Sequence, residues 1–222
     1  WMKCLFNCPP IPCEVHQEMI TRTLAAAAFL CLASTALLAQ ATTSIVSWNG
    51  NPGDWKYPSG LDELSESSFI SSSGRYVAFV TDLRNLNDND ETPAMKGIAV
   101  KDLQTGDISQ VSFAPSGFPN GPSFAPTVST DGRYVCFTSW AQNLVPNDNN
   151  YGGDVFRYDT QTNAVIRVTL PYDGVEDQYD GSWGVTHSMT DDGRYIVFMS
   201  ASNKHVSGDT NGHDDVFVRD MA

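Results

Sequence analysis

Ser129-Thr-Asp-Gly-Arg-Tyr-Val-Cys-Phe-Thr138 is written three times in this chain with small changes. The other copies are Ser71-Ser-Ser-Gly-Arg-Tyr-Val-Ala-Phe-Val80 and Thr190-Asp-Asp-Gly-Arg-Tyr-Ile-Val-Phe-Met199. Self-similarity at a steady period is the signature of a repeat architecture. The shared glycines are Gly74, Gly132 and Gly193, spaced 58 and 61 residues apart. A second block trails each copy: Gly97-Ile-Ala-Val-Lys-Asp102, Asp154-Val-Phe-Arg-Tyr-Asp159 and Asp215-Val-Phe-Val-Arg-Asp220. A third block, Asp107-Ile-Ser-Gln-Val-Ser112, is matched by Ala164-Val-Ile-Arg-Val-Thr169. Thr43-Ser-Ile-Val-Ser47 reads as that same block left over from an earlier unit, a partial strand at 43–48.

The blocks have strand chemistry. Tyr-Val-Cys-Phe and its copies are β-branched and aromatic, and apolar on both faces, as in a sheet covered from either side. Asp131-Gly132 and Asp192-Gly193 are turn dipeptides feeding these strands. Gln104-Thr-Gly106 and Gln161-Thr-Asn163 are hairpin turns whose last residue can take positive φ. No segment after Thr42 shows a sustained helical period. The reading is all-β, with three strong strands and a weaker fourth per repeat, in units around 61–112, 123–169 and 183–222. Such sheets must stack face to face, and doing so around an axis gives a β-propeller of four-stranded antiparallel blades.

Ser-x-Asp-Gly-Arg-Tyr-Val-x-Phe, then Asn143-Leu-Val-Pro-Asn-Asp-Asn149, then Asp-Val-Phe-x-x-Asp resembles the TolB-type WD40-like (PD40) propeller repeats. The resemblance covers roughly Ile45 to Asp220. The first copy departs from it, with Ser73 in place of the turn Asp and an insertion over 89–96, and the period exceeds that of ordinary WD40 blades. A closed propeller needs about four to eight blades. Three copies therefore lead us to expect either a protein that continues past Ala222 or self-association through open edges.

The first 41 residues differ from the rest. Leu24 to Leu38 is an apolar run of signal-peptide length, preceded by Met19-Ile-Thr-Arg-Thr23 and followed by Ala39-Gln-Ala41, an A-x-A cleavage pattern. We expect 1–18 to be read-through leader, 19–41 a signal peptide cut after Ala41, and 42–222 the repeat domain, secreted or periplasmic. No uninterrupted apolar run reaches the ~18 residues of a membrane span, so no insertion is expected after cleavage. Cys4, Cys8, Cys13 and His16 lie in the leader at spacings that match no zinc pattern. Beyond it only Cys136 remains, so a disulfide within the mature chain is impossible.

The chain has 13 basic and 26 acidic residues, net charge −13. Lys3, Arg22, Glu14 and Glu18 cancel within the first 41, so the whole excess belongs to the repeats. A nucleic-acid binder needs a basic footprint to displace counterions, and this chain has the opposite. G-x-S-x-G, H-E-x-x-H, Walker and dinucleotide-binding patterns are absent from the sequence.

Two constellations stand out. Asp148, Asn150 and Asp154, and likewise Asp209, Asn211 and Asp215, share the pattern D-x-N-x-x-x-D. Hard oxygens at positions 1, 3 and 7 suit Ca²⁺, and the alternative is Asx-turns capping their own backbone. The connector from Tyr172 to His187 is rich in rings; Tyr179, Trp183 and His187 are its candidate ligand contacts, or else they fill space between blades. Cys136 aligns with Ala78 and Val197 on a core strand and reads as a small buried hydrophobe. The resemblance implies a module that binds a protein or polysaccharide without chemistry of its own. The alternatives are the propeller of a peptidase or polysaccharide lyase, and a scaffold piece of a surface protein.

Overall fold

The computed structural model describes residues 66–83, 95–175 and 187–222. The expected leader, signal segment and strand at 43–48 lie outside them. Among the described residues the regular elements are eleven strands: β1 Glu66–Ile70, β2 Tyr76–Asp82, β3 Lys96–Asp102, β4 Ile108–Gln110, β5 Ser123–Val128, β6 Tyr134–Ser139, β7 Asp154–Asp159, β8 Ala164–Arg167, β9 His187–Met189, β10 Tyr195–Ser200 and β11 Asp215–Asp220. They form three antiparallel sheets in the orders β1-β2-β3-β4, β5-β6-β7-β8 and β9-β10-β11. The protein is all-β, built of propeller blades, as the repeats require.

The shared motif becomes intelligible as a blade's turn. In the second blade Ser129 Oγ donates to Asp131 Oδ1 (2.7 Å), which also accepts from Arg133 N (3.0 Å), while Tyr134 N donates back to Ser129 Oγ (2.9 Å). The third blade repeats the set with Thr190, Asp192, Arg194 and Tyr195. In the first, Ser73 replaces the acid through its hydroxyl, 2.9 Å from Ser71 Oγ. The motif arginine then reaches the far end of the next strand: Arg75 to Asp102 (2.7 Å), Arg133 to Asp159 (2.9 Å), Arg194 to Asp220 (2.7 Å). Each of those acids also caps the following turn, accepting from Gln104 N, Gln161 N or Ala222 N. One carboxylate thereby closes both a strand pair and a hairpin. Hydrogen bonds from the guanidinium hold Asp102 and Asp220 down at about 2.

Each sheet buries alternate residues to opposite sides. Ala78, Val80, Ile98 and Val100 of the first blade meet Val135, Phe137, Phe156 and Tyr158 of the second. Cys136 and Val155 on the second blade's other side meet Ile196, Phe198 and Phe217 of the third. Phe137 stacks on Phe156 and Phe198 on Phe217, with centroids 5.9 and 5.5 Å apart. The turns interlock as well. A Cβ placed on Gly132 would overlap the ring of Tyr76, and one on Gly193 the ring of Tyr134. Arg157 lies over the same Tyr134 ring (4.5 Å) and donates to the Gly193 carbonyl (2.9 Å). Every tyrosine thus sits in the glycine gap of the next blade.

The innermost strands are the least regular. The register slips between Glu66 and Ser68 in β1 and between Phe124 and Thr127 in β5. Ser67 (φ 46°) and Ala125 (φ 49°) occupy the left-handed region at these bulges. Pro126, which has no N–H to give a ladder, falls at the second bulge.

Candidate functional site

The antiparallel order sends the tight turns 71–75, 129–133 and 190–194 to one end of the blades. The long loop 140–153 between β6 and β7, its counterpart 201–214, and the connectors between blades go to the other. Hydrogen bonds knit this loop end. Asn143 Oδ1 accepts from Asn120 N (2.9 Å), Asn120 Oδ1 accepts from Gln142 N (2.8 Å), and Tyr172 N donates to the Lys204 carbonyl (2.7 Å). Lys204 also pairs with Asp173 at 3.4 Å. The face so assembled presents Trp140, Tyr151 and Tyr172 as exposed rings. Trp140 meets Phe124 edge-on at 6.2 Å between centroids.

Below that face lies a buried ionic cluster. Asp148, Asn150 and Asp154 are gathered in the second blade's loop and are all buried. Arg167, from the outer strand β8, enters between the two acids: Nη1 lies 3.1 Å from Asp148 Oδ1 and 3.6 Å from Asp154 Oδ2. Asn150 Nδ2 donates to Asp154 Oδ2 (2.9 Å) and the Thr169 hydroxyl to Asp154 Oδ1. Burial pushes Asp148 up to about 6, the Asp154 charge adding to it and Arg167 opposing. Asp154 is raised as well, chiefly by burial. The positive charge among these oxygens is the protein's own guanidinium.

The third blade has the same loop without that guanidinium among the described residues. Asn211 Nδ2 donates to Asp215 Oδ2 (2.7 Å), matching Asn150 to Asp154, and Asn211 N approaches Asp209 Oδ1 at 3.4 Å. Asn211 Oδ1 accepts from His213 N (2.9 Å), an Asx-turn, as Asn150 Oδ1 does from Gly152 N (3.2 Å). In the first blade Gly97 stands where the other two carry an acid; a Cβ there would run into Leu83.

His187 begins β9 and places Nδ1 3.2 Å from Thr138 Oγ1, across the junction of the second and third blades. Tyr179 and Trp183 lie outside the described residues. Cys136 is fully buried, and burial drives its thiol far above the ordinary value, so it offers no nucleophile. A separate cleft of about 800 Å³ opens at the rim between the first two blades, lined by Tyr76, Asp102, Asp107, Gln110, Phe113 and Tyr158 among others.

No family model matches this chain. No curated protein matches it either. Among solved structures it is similar to TolB from Acinetobacter baumannii, with 20% identity, TM-score 0.44, and coverage of 72% of this chain and 30% of that one. It is also similar to a putative TolB from Agrobacterium tumefaciens (19%, TM-score 0.41, 73% and 47%) and to the β-propeller domain of the Trilobed protease from Pyrococcus furiosus (12%, TM-score 0.39, 71% and 39%). The chain spans less than half the length of each.

Proposed function

We propose that this chain is a binding module of an exported protein, taking a protein or polysaccharide on its loop face with no chemistry of its own. The observation that carries the reading is that face: long loops held rigid by side-chain amides, presenting Trp140, Tyr151 and Tyr172 to solvent. Rings on a rigid frame supply contact area at low entropic cost, which suits sugar faces and peptide side chains alike. Export rests on the leader at 19–41, so mature material should begin at Thr42. The test is a glycan and peptide array probed with the protein and with Trp140→Ala/Tyr151→Ala/Tyr172→Ala. Any ligand of the parent should bind the triple variant at least tenfold more weakly. Undiminished binding, or a loss confined to Asp107→Ala in the rim cleft, would move the site away from the loop face.

Calcium belongs to the same proposal, at Asp209, Asn211 and Asp215. Two carboxylates there share no buried cation, whereas Asp148 and Asp154 already have Arg167. With a Kd of about 10⁻⁴ M, as in extracellular modules, millimolar Ca²⁺ should add roughly 1.4 kcal/mol through binding to the folded state. Mg²⁺ should do less, since it keeps its waters. The rise in melting temperature should vanish in Asp209→Ala/Asp215→Ala and persist in Asp148→Asn; the reverse pattern, or equal effects of both ions, refutes it.

A further inference from the structure

The two junctions inside the chain share one geometry, and the third blade displays half of it unused. On the first blade's forward side Ile98 and Val100 are 0% and 6% exposed beneath the second blade. Their counterparts on the third blade, Val216 and Val218, are 72% and 66% exposed. Val197, equivalent to the fully buried Ala78 and Cys136, is 40% exposed, and Met199 and Tyr195 stand open beside it. The face is apolar from edge to edge, broader than the scattered exposed hydrophobics of an ordinary surface. Tyr195 is also posed like its predecessors. Arg194 lies over its ring at 4.9 Å, as Arg75 and Arg133 lie over Tyr76 and Tyr134 at 5.0 and 4.8 Å. Those two rings each receive a turn glycine, and theirs are the positions that define what fits.

We propose that Tyr195, Val197, Met199, Val216 and Val218 form a docking surface for one further blade of this repeat, seated with its turn glycine against the Tyr195 ring. The partner's chemistry follows from the existing junctions. It must present Val or Ile and Phe on the facing strands, as Val135, Phe137 and Phe156 do, or Ile196, Phe198 and Phe217. It must also lack a Cβ where the tyrosine lands. A flat apolar sheet without the glycine gap would meet the ring before its own core could close.

The chain itself supplies the probe. Because Asp220 is equivalent to Asp159, residues 160–222 can be repeated after Asp220 to add an outer strand and one more blade in phase. The full chain so extended should melt at least 5 °C higher in a single transition and bind less than half as much hydrophobic dye as the parent. Val218→Glu in the original third blade should abolish both gains while shifting the parent's own melting temperature by less than 2 °C, since that side chain is exposed there. Gly193→Val in the appended copy alone should likewise abolish them, though the added outer strand is intact. Separate melting of the appended part, or gains that survive both substitutions, overturn the proposal. So does an unextended chain that forms a discrete dimer split by Val218→Glu, because a second copy would then be the occupant.

Discussion

Replacing Arg167 with methionine should lower the melting temperature by about 10 °C at pH 7.5. The substitution keeps the length of the side chain and removes the one positive group between Asp148 and Asp154, both buried. Breaking a buried ion pair from one side costs roughly 3–5 kcal/mol, because the remaining charge is neither solvated nor paired. At this chain length each kcal/mol is worth about 2–4 °C. Asp148→Asn/Asp154→Asn on the same background should recover most of the loss, since neutral amides do not repel. The pH profile gives a second check. Asp148 is raised to about 6, so between the ordinary carboxylate value and 6 the folded chain holds a proton that the unfolded chain has released. Stability therefore falls as pH rises through that window and levels off above it. Asp102 and Asp220, held at about 2, act in the opposite sense. Their contribution is complete above the ordinary carboxylate range and is lost as pH drops toward 2. Thermal melts of the parent should peak between about pH 4 and 5, and the Arg167→Met loss should shrink there as the acids take up protons. A loss under 2 °C at pH 7.5, or one that does not change with pH, would show that Arg167 is not neutralising the pair.

Gly193→Val should destabilise by about 3–4 kcal/mol, and Gly74→Val by only about 1–2 kcal/mol. Both glycines have φ 71°, a region that costs a β-branched residue about 1–2 kcal/mol. They differ in what stands nearby. A side chain at Gly193 meets the Tyr134 ring, whereas nothing lies within 4 Å of the position at Gly74. Overpacking adds roughly 1–3 kcal/mol. Tyr134→Ala should be non-additive with Gly193→Val, since removing the ring removes the collision. Urea titrations of the two single variants and the double decide it. Equal losses at the two glycines would mean that backbone conformation, and not the junction, sets the requirement.

The repeat and the strands that bury both sides were legible because their signals are local. Apolar β-branched runs, Asp-Gly turns and a final aspartate recur in order, and β2, β3, β6, β7, β10 and β11 lie where those blocks are. The turn positions Gly106 (φ 86°) and Asn163 (φ 56°) also follow the expected chemistry. The inner strands were fainter, since the bulges at Ser67 and Ala125, with Pro126 beside the latter, break the two-residue alternation that marks a strand. At the candidate site the loop residues were visible and their partner was not. Arg167 reaches Asp148 across nineteen positions, and no local pattern joins them. A signal did exist between the copies. Where the second repeat has Asp154 and Arg167, the first has Gly97 and Gln110, so acid and base are exchanged together for neutral residues. Comparing repeats for paired changes of charge would have found the ion pair. The aromatic connector divides differently: His187 belongs to a junction between blades, and the exposed rings of the loop face are Trp140, Tyr151 and Tyr172.

The tyrosine and the glycine that meet at each junction belong to different blades, and always in the same sequence: the ring comes from the earlier one. During synthesis the chain emerges from its amino end, and repeat units fold against whichever neighbour is already in place. A newly made blade therefore finds a finished ring waiting and has only to bring a gap, which requires no side chain to be ordered. The asymmetry gives assembly a direction along the ribosomal timetable. Two blades that are both waiting to be capped cannot cap each other, so neighbouring nascent chains on one message carry incompatible ends until the next turn arrives.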